Sequence, residues 1–448
     1  MAGLLPLLIA LTIIETAAHP GRVPLATVLP WPLLVAVVGM VLLFWWLIGE
    51  TAGRILAARV RVSSGLEARR QLERWDILAQ GIALGGFAGL CYGLHWADAV
   101  RSYSIAIAPW AAAQVILWWT LARPLSATTG IPWRRGALVW HHVRFALLPL
   151  GIALPVLDLC AWVANSTQLD LWLFGHFGHL VDVLGAMLLA VGVVALLPWL
   201  LVRAWGAQPL TDPMLRGELE GACRTAGVRV GAIMRWPVRG GRVYNAMVIG
   251  VLPRLRYVLF TDDILRDFPP DQRLAVLGHE LGHARYQHLW VYLLFALATG
   301  LLSFAARGPL DAWLADLPGM GTIDEDVRAG IGALLLLGVQ WRLLFGFLSR
   351  ACEREADAAG AELAGGGDMR HGAATMRQAL GTVAQLAGID PRAPSWRHYS
   401  LHQRMVWLER VAAQPQVAAL HHRQVRFAIQ LMAATTGVLL ALAVILSS

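Results

Sequence analysis

Two histidines four residues apart, with a glutamate beside the first, are the pattern in this chain best suited to chemistry: His279-Glu280-Leu281-Gly282-His283. On a helix, positions i and i+4 leave the same face, so both imidazoles can share one metal ion. Glu280 is too near His279 in sequence to bind that ion comfortably. It is well placed to take a proton from a water that the ion activates. The combination reads as the centre of a zinc hydrolase with one Zn2+ per chain. The surrounding run supports a helix. Asp271, after Pro269-Pro270, is expected to cap it, and Leu274, Leu277 and Leu281 recur at helical spacing. The helix is expected to run on through Gln287-His288 into an apolar stretch, setting the metal close to a membrane surface.

Two histidines leave a catalytic zinc one protein ligand short. Candidates for the third lie in the run 349–357, where Glu353 and Asp357 are four apart and share a helix face. Small residues at Ala356, Ala359 and Gly360 would let this second helix approach the first closely. Glu353 as third ligand, with Asp357 accepting from a ligand histidine's other N–H, uses the whole pattern. The alternative is an exposed acidic face with intrahelical arginine pairs. Glu355 points elsewhere and is expected on the surface, while His288 is expected to be solvated or interfacial.

These elements must be held by a membrane protein. The chain has 448 residues, 57% hydrophobic and only 15% charged, against about a quarter charged in a soluble protein. Apolar runs near the ~20 residues needed to cross a bilayer fall at Leu4–Ala18, Trp31–Gly49, Ile77–Ala97, Ile105–Ala122, Phe145–Ala164, Val183–Val202, Leu289–Ala306, Ala329–Leu348 and Phe427–Leu446. The predicted fold class is mainly α: a polytopic helical membrane protein of about nine spans carrying a cytoplasmic α+β metalloprotease domain. Loop 50–76 holds six arginines and loop 123–144 four, while loop 165–182, with His176 and His179, holds none and loop 307–328 is acidic. By the positive-inside rule the polar blocks then face the cytoplasm, on the same side as each other. All 37 basic residues are arginine and are spread over loops, so the charge of +8 does not point to nucleic acid. Cys91, Cys160, Cys223 and Cys352 form no CxxC pair and two lie in apolar runs, so neither a disulfide framework nor a thiolate metal site is suggested.

The expected organisation is therefore an N-terminal membrane region of about six spans over 1–205, a first polar block over 206–288, two spans over 289–348, a second polar block over 349–426 and a last span over 427–448. In the first block, Asp212-Pro213 opens a helix through Cys223 that stops at Gly227. Short β-branched and aromatic runs at 229–236, 242–249 and 256–261 read as a small sheet leading into the metal helix. The second block reads as largely helical, broken at Gly365-Gly366-Gly367 and around Asp390-Pro391.

The motif pair, with Ser349-Arg350, Glu353 and Ala356-Asp357, resembles the membrane gluzincin peptidases that include HtpX and the type I CAAX prenyl protease. Upstream, Tyr244-Asn245-Ala246 resembles the Asn-Ala strand of that family; downstream, His398-Tyr399-Ser400-Leu401-His402-Gln403-Arg404 is similar to its late His-Pro…Arg motif, with Tyr399 where the family has proline. The likeness covers roughly residues 206–410. It implies His279, His283 and Glu353 as zinc ligands and Glu280 as general base. It implies a strand at Asn245-Ala246 that pairs with an extended substrate backbone. It also implies His398 as a helper at the oxyanion or leaving group, and Arg404 as an organiser of the site through a carboxylate such as Asp357.

The function expected is a zinc metalloendopeptidase of the bacterial inner membrane. It would cleave membrane-associated or misfolded membrane proteins at the cytoplasmic face, with peptide or protein substrates and the lipid bilayer as its partners. A processing protease for lipidated peptides and a protease-type membrane signal transducer are the alternatives. The sequence carries no signal of oligomeric state.

Overall fold

The computed structural model describes residues 4–17, 30–63, 65–100, 102–129, 133–149, 151, 154–156, 158–159, 162, 192, 195–238, 243–388 and 390–447. The chain divides into two compact units, the first over Met1–Gly178, Arg239–Gly241 and Ala306–Leu337, the second over His179–Val238, Arg242–Ala305 and Gly338–Ser448.

Helices α1 (Leu4–Ala17), α2 (Trp31–Val62), α3 (Gly65–Ala88), α4 (Ala108–Thr129) and α5 (Arg135–His142) build the first unit. Its core gathers Ala10, Ile13, Leu34, Phe87, Trp96 and Trp110. α2 and α4 approach closely at Gly53, where a Cβ would lie 2.8 Å from the Thr120 carbonyl oxygen. Several polar side chains of this unit pair with one another or with backbone groups. Gln80 and Gln114 exchange amide hydrogen bonds of 2.9 and 3.0 Å. Asp158 accepts from the backbone N–H groups of Tyr103 and Ser104 at 2.8 and 3.0 Å. Along α2, Leu33, Val35, Met40, Leu43, Phe44, Leu47 and Ile48 are exposed, an apolar surface that a bilayer would cover.

Among the described residues, three helical stretches are long and apolar enough to cross a membrane: Trp31–Val62, Tyr103–Thr128 and Val327–Gly365. The bent pair His288–Ser303 and Ala305–Ala315 makes a fourth if it is one span. The count of nine is not reached among these residues. α1 has 14 residues, about 21 Å at 1.5 Å per residue, which is shorter than a hydrocarbon core. The run at Ile77–Ala97 is divided, because α3 begins with charged Glu67, Arg70 and Arg74 and gives way to a π-turn at Gly89–Gly93. Most of 183–194, part of Phe145–Ala164 and the His176/His179 loop lie outside the described residues, while Ala195–Ala204 is an apolar helix of fewer than 18 residues.

The second unit is α+β. Its elements are β1 (Gln208–Pro209), α6 (Pro213–Thr225), β2 (Ala232–Trp236), β3 (Ala246–Ile249), β4 (Tyr257–Thr261), α7 (Asp262–Asp267), α8 (Pro270–Arg285) and the start of α9 (His288–Ala315). α10 (Glu325–Val339) runs through a π-turn at Gln340–Phe345 into α11 (Gly346–Gly365), followed by α12 (Met369–Leu386), α13 (Leu401–Ala413) and α14 (Gln416–Ser447). The strands order as β1-β2-β4-β3. β2 is parallel to β4, and β3 pairs with β4 antiparallel from Ala246↔Phe260 to Ile249↔Tyr257, so β3 is an edge strand. Asp212 caps α6, accepting from the N–H groups of Met214 and Leu215 at 3.0 and 3.2 Å, as its sequence predicts. One side of the core is Leu219, Val258, Phe260, Ile264, Phe268, Leu277 and Leu281 between sheet and helices. The other packs Ala275, Ala361, Met376, Leu380, Trp407 and Leu408.

Candidate metal centre

α8 starts at Pro270, where a missing N–H costs nothing in the first turn. The residue before it, Pro269, occupies the cap position and makes no side-chain bond, so Asp271 lies inside the first turn instead of capping. The helix is held instead by Arg273, whose guanidinium donates to the carbonyls of Leu265 and Phe268 at 3.2 and 3.1 Å. Nor does α8 continue through Gln287-His288. It ends at Arg285, and Gln287 takes a left-handed φ of 57° before α9 begins at His288. That break folds His288 back toward α8.

The second candidate ligand helix fits against α8 because both present mainly glycine and alanine at the crossing. A Cβ on Gly282 would lie 2.8 Å from the Ala359 Cβ and 2.9 Å from the Ala356 Cα. The expectation that Ala356, Ala359 and Gly360 allow close approach is met.

At this crossing the two imidazoles meet Glu353. Its Oε2 lies 3.8 Å from His279 Nε2 and its Oε1 3.8 Å from His283 Nε2. The three donor atoms lie within 4.8 Å of one another. Four donors at ~2.0–2.2 Å around a tetrahedral zinc stand roughly 3.3–3.6 Å apart. Two imidazole nitrogens and one carboxylate, with a fourth position left for water or substrate, is the donor set of a catalytic zinc site. The residues present fit the ion.

Behind the ligands, Asp357 Oδ1 lies 2.9 Å from His279 Nδ1, so the ring donates there and turns its Nε2 lone pair toward the cluster. Arg404 grips the same carboxylate with both arms, Nε donating to Oδ2 at 2.9 Å and a terminal nitrogen to Oδ1; another terminal nitrogen lies 3.6 Å from Glu353 Oε2. A capping box places Arg404 in the first turn of α13: Ser400 Oγ accepts from the Gln403 N–H, and the Gln403 side chain accepts from the Ser400 N–H. His398 Nδ1 lies 2.8 Å from Glu353 Oε1, so what the structure shows this ring touching is the third ligand. Tyr399 between them has φ 58°, a conformation closed to proline, whose ring fixes φ near −65°. Its ring lies under the Arg354 guanidinium, 4.4 Å from the centroid.

Burial favours neutral forms here. It pushes the Glu280 carboxyl up to about 7 and holds His283 well below the usual imidazole value. Burial also depresses His279, but the Asp357 hydrogen bond and charge outweigh it and leave the ring raised. Glu280 Oε2 accepts from the Val248 N–H at 3.1 Å. Val248 therefore aims its N–H away from β4, and by the alternation of a strand Ala246 presents its N–H and C=O on that same open edge. The main chain of Asn245 is committed to the sheet: its N–H donates to Thr261 Oγ1 at 3.1 Å, and its carbonyl accepts from the Thr261 N–H at 3.0 Å. A concavity of about 1270 Å3 in this unit, lined by Arg224, Arg229, Arg254 and Leu255 among others, contains none of these residues.

Residues 212–410 match peptidase family M48. Protease HtpX of Pseudomonas paraeruginosa is 28% identical over 255 residues, covering 54% of this chain and 85% of the relative. A protease HtpX homolog of Thermococcus sibiricus is 29% identical over 158 residues, 34% of this chain and 52% of the relative. Among solved structures, that of S. mikatae Ste24p is similar at a TM-score of 0.48 and 15% identity, over 85% of this chain and 99% of that one. The M48 match includes every sequence-predicted site residue, from Asn245 to Arg404.

Two expectations are corrected. Glu355 is not on the surface but 3% exposed, and His288 is neither solvated nor interfacial but 1% exposed, with its Nε2 3.0 Å from Glu355 Oε2. His422 of α14 reaches the other oxygen of Glu355. No local signal announces this: the left-handed turn at Gln287 is made by a residue with no preference for it, and His422 is brought in from a distant helix.

Proposed function

We propose that this protein is an M48-type zinc metalloendopeptidase of the bacterial inner membrane, acting at the cytoplasmic face on membrane-associated or misfolded membrane proteins. One observation carries the reading: both imidazole Nε2 atoms stand 3.8 Å from the two oxygens of Glu353, with the Glu280 carboxylate beside the open edge of β3. His279, His283 and Glu353 would hold the ion, which when bound supplies Lewis-acid polarisation of a peptide carbonyl and acidifies water. Asp357, gripped by Arg404, fixes the tautomer of His279. Glu280, anchored through one oxygen to Val248, offers the other to the attacking water, takes its proton and returns it to the leaving amine. The free N–H and C=O groups of Ala246, with neighbouring Asn245 setting the register, would hold an extended substrate by strand addition. His398 keeps Glu353 in place and would assist at the oxyanion or leaving group. The arginine-rich loops at 50–76 and 123–144 support a cytoplasmic site, and the apolar runs support about nine crossings, six of them before residue 206.

The test compares wild type with Glu280→Gln in detergent, measuring bound zinc and cleavage of unfolded casein and of a misfolded membrane protein. Zinc retained with cleavage lost is the expected result. Cleavage unchanged in the variant would remove Glu280 from the reaction, and no zinc in the wild type would remove the metal.

A further inference from the structure

The second candidate metal ligand, His283, has its own chain of partners, one residue longer than that of His279 to its carboxylate. His283 Nδ1 lies 2.8 Å from His288 Nδ1. His288 Nε2 lies 3.0 Å from Glu355 Oε2, and His422 Nδ1 meets the other Glu355 oxygen. On a continuous helix His288 would sit about 140° round the axis from His283. The left-handed turn at Gln287 is what stacks the two rings edge to face, their centroids 4.9 Å apart.

Two readings compete for this cluster. His288, Cys352 and Glu355 also bring donor atoms within 4.8 Å of one another, which would suit a second ion. Counting protons decides between them. A His283 that gives Nε2 to the metal carries its proton on Nδ1 and donates it to His288 Nδ1. His288 then carries its proton on Nε2 and donates it to the Glu355 carboxylate. One tautomer assignment satisfies every atom. An ion on His288 Nε2 would move that proton to Nδ1 and set two N–H groups against each other at 2.8 Å.

We propose, on the reading that His279, His283 and Glu353 hold the zinc, that His288 and Glu355 are positioning residues for His283 and that His422 ties them to α14. Their role is to fix the tautomer and ring orientation of the ligand through a relayed hydrogen bond to a carboxylate. Among the described residues, His288 is the side chain that hydrogen-bonds both His283 and Glu355.

The experiment titrates zinc into the metal-free full chain in detergent against a chromophoric chelator, and records the visible spectrum of the cobalt-loaded protein. His288→Phe and Glu355→Leu should weaken zinc about 10–100-fold and alter the cobalt spectrum. Glu355→Gln, whose amide oxygen still accepts, should recover most of the affinity. In the wild type, nitrogen-15 histidine spectra of the zinc-loaded chain should show His288 as the Nε2–H tautomer, a readout independent of whether any variant folds. Unchanged affinity in His288→Phe and Glu355→Leu, an Nδ1–H His288, or a second equivalent of zinc lost with His288 would each overturn the proposal while leaving the peptidase reading standing. A wild type that binds no zinc would overturn both.

Discussion

Gly278 and Gly360 face each other where the two ligand-bearing helices cross: a Cβ on Gly278 would lie 2.9 Å from the Gly360 Cα, and one on Gly360 would lie 2.7 Å from the Ala275 carbonyl oxygen. The candidate metal cluster of His279, His283 and Glu353 exists because these backbones touch. A ligand on each helix can share one ion only if the helix axes come this near.

Gly278→Val should therefore separate α8 from α11, costing about 1–3 kcal/mol through overpacking and lowering zinc occupancy more than it lowers helicity. Gly81→Ala, at a helical position with open space around the added Cβ, is the control. Melting temperature and bound zinc measured together check this. A Gly278→Val protein with normal zinc would mean the crossing tolerates a side chain.

Glu280 sets the expected pH dependence. Burial raises its carboxyl to about 7 before an ion is bound, and a nearby cation lowers such a pKa. The proton-accepting form is the carboxylate. Cleavage is thus full above the pKa and is lost as pH falls through it, with the midpoint below 7 in the zinc-loaded chain. A profile of kcat/KM that stays flat from roughly pH 5 to 8 would exclude Glu280 as the base.

Arg404 bears on stability as well as on the site. Asp357 is fully buried between the His279 ring and the Arg404 guanidinium. Arg404→Met would strand that carboxylate, at a cost of about 3–5 kcal/mol. Arg404→Lys keeps the charge but loses the two-armed grip and should fall between. Denaturant unfolding of the three proteins checks the order; equal stabilities would show that this pair does not fasten α13 to α11.

The parts of the centre that were legible in the sequence are those carried by helical periodicity. His279 and His283, then Glu353 and Asp357, each stand four apart, and the small residues Ala356, Ala359 and Gly360 announce a close helix crossing. The family motifs placed Arg404 and His398 near them. What stayed hidden depended on tertiary position. Glu355 has the same composition around it whether it faces water or His422. The end of α8 is made by Gln287 in a conformation that glycine would have signalled and glutamine does not. Hydropathy located the long apolar helices, but it could not see that α3 starts charged and ends in a π-turn, or that Ala329–Leu348 and the Glu353 helix are one uninterrupted rod.

That rod gives the π-turn at Gln340–Phe345 a particular meaning. Each added or removed residue in a helix rotates everything beyond it by about 100°, and a π-turn is the trace of one such inserted residue. The angular phase between the apolar stretch and Glu353 is therefore written into a residue count. A residue deleted from the regular helix between that turn and Glu353 would swing the carboxylate off the face that His279 and His283 share, whereas one deleted within the turn would relax it to regular α-helix and leave the phase nearly unchanged.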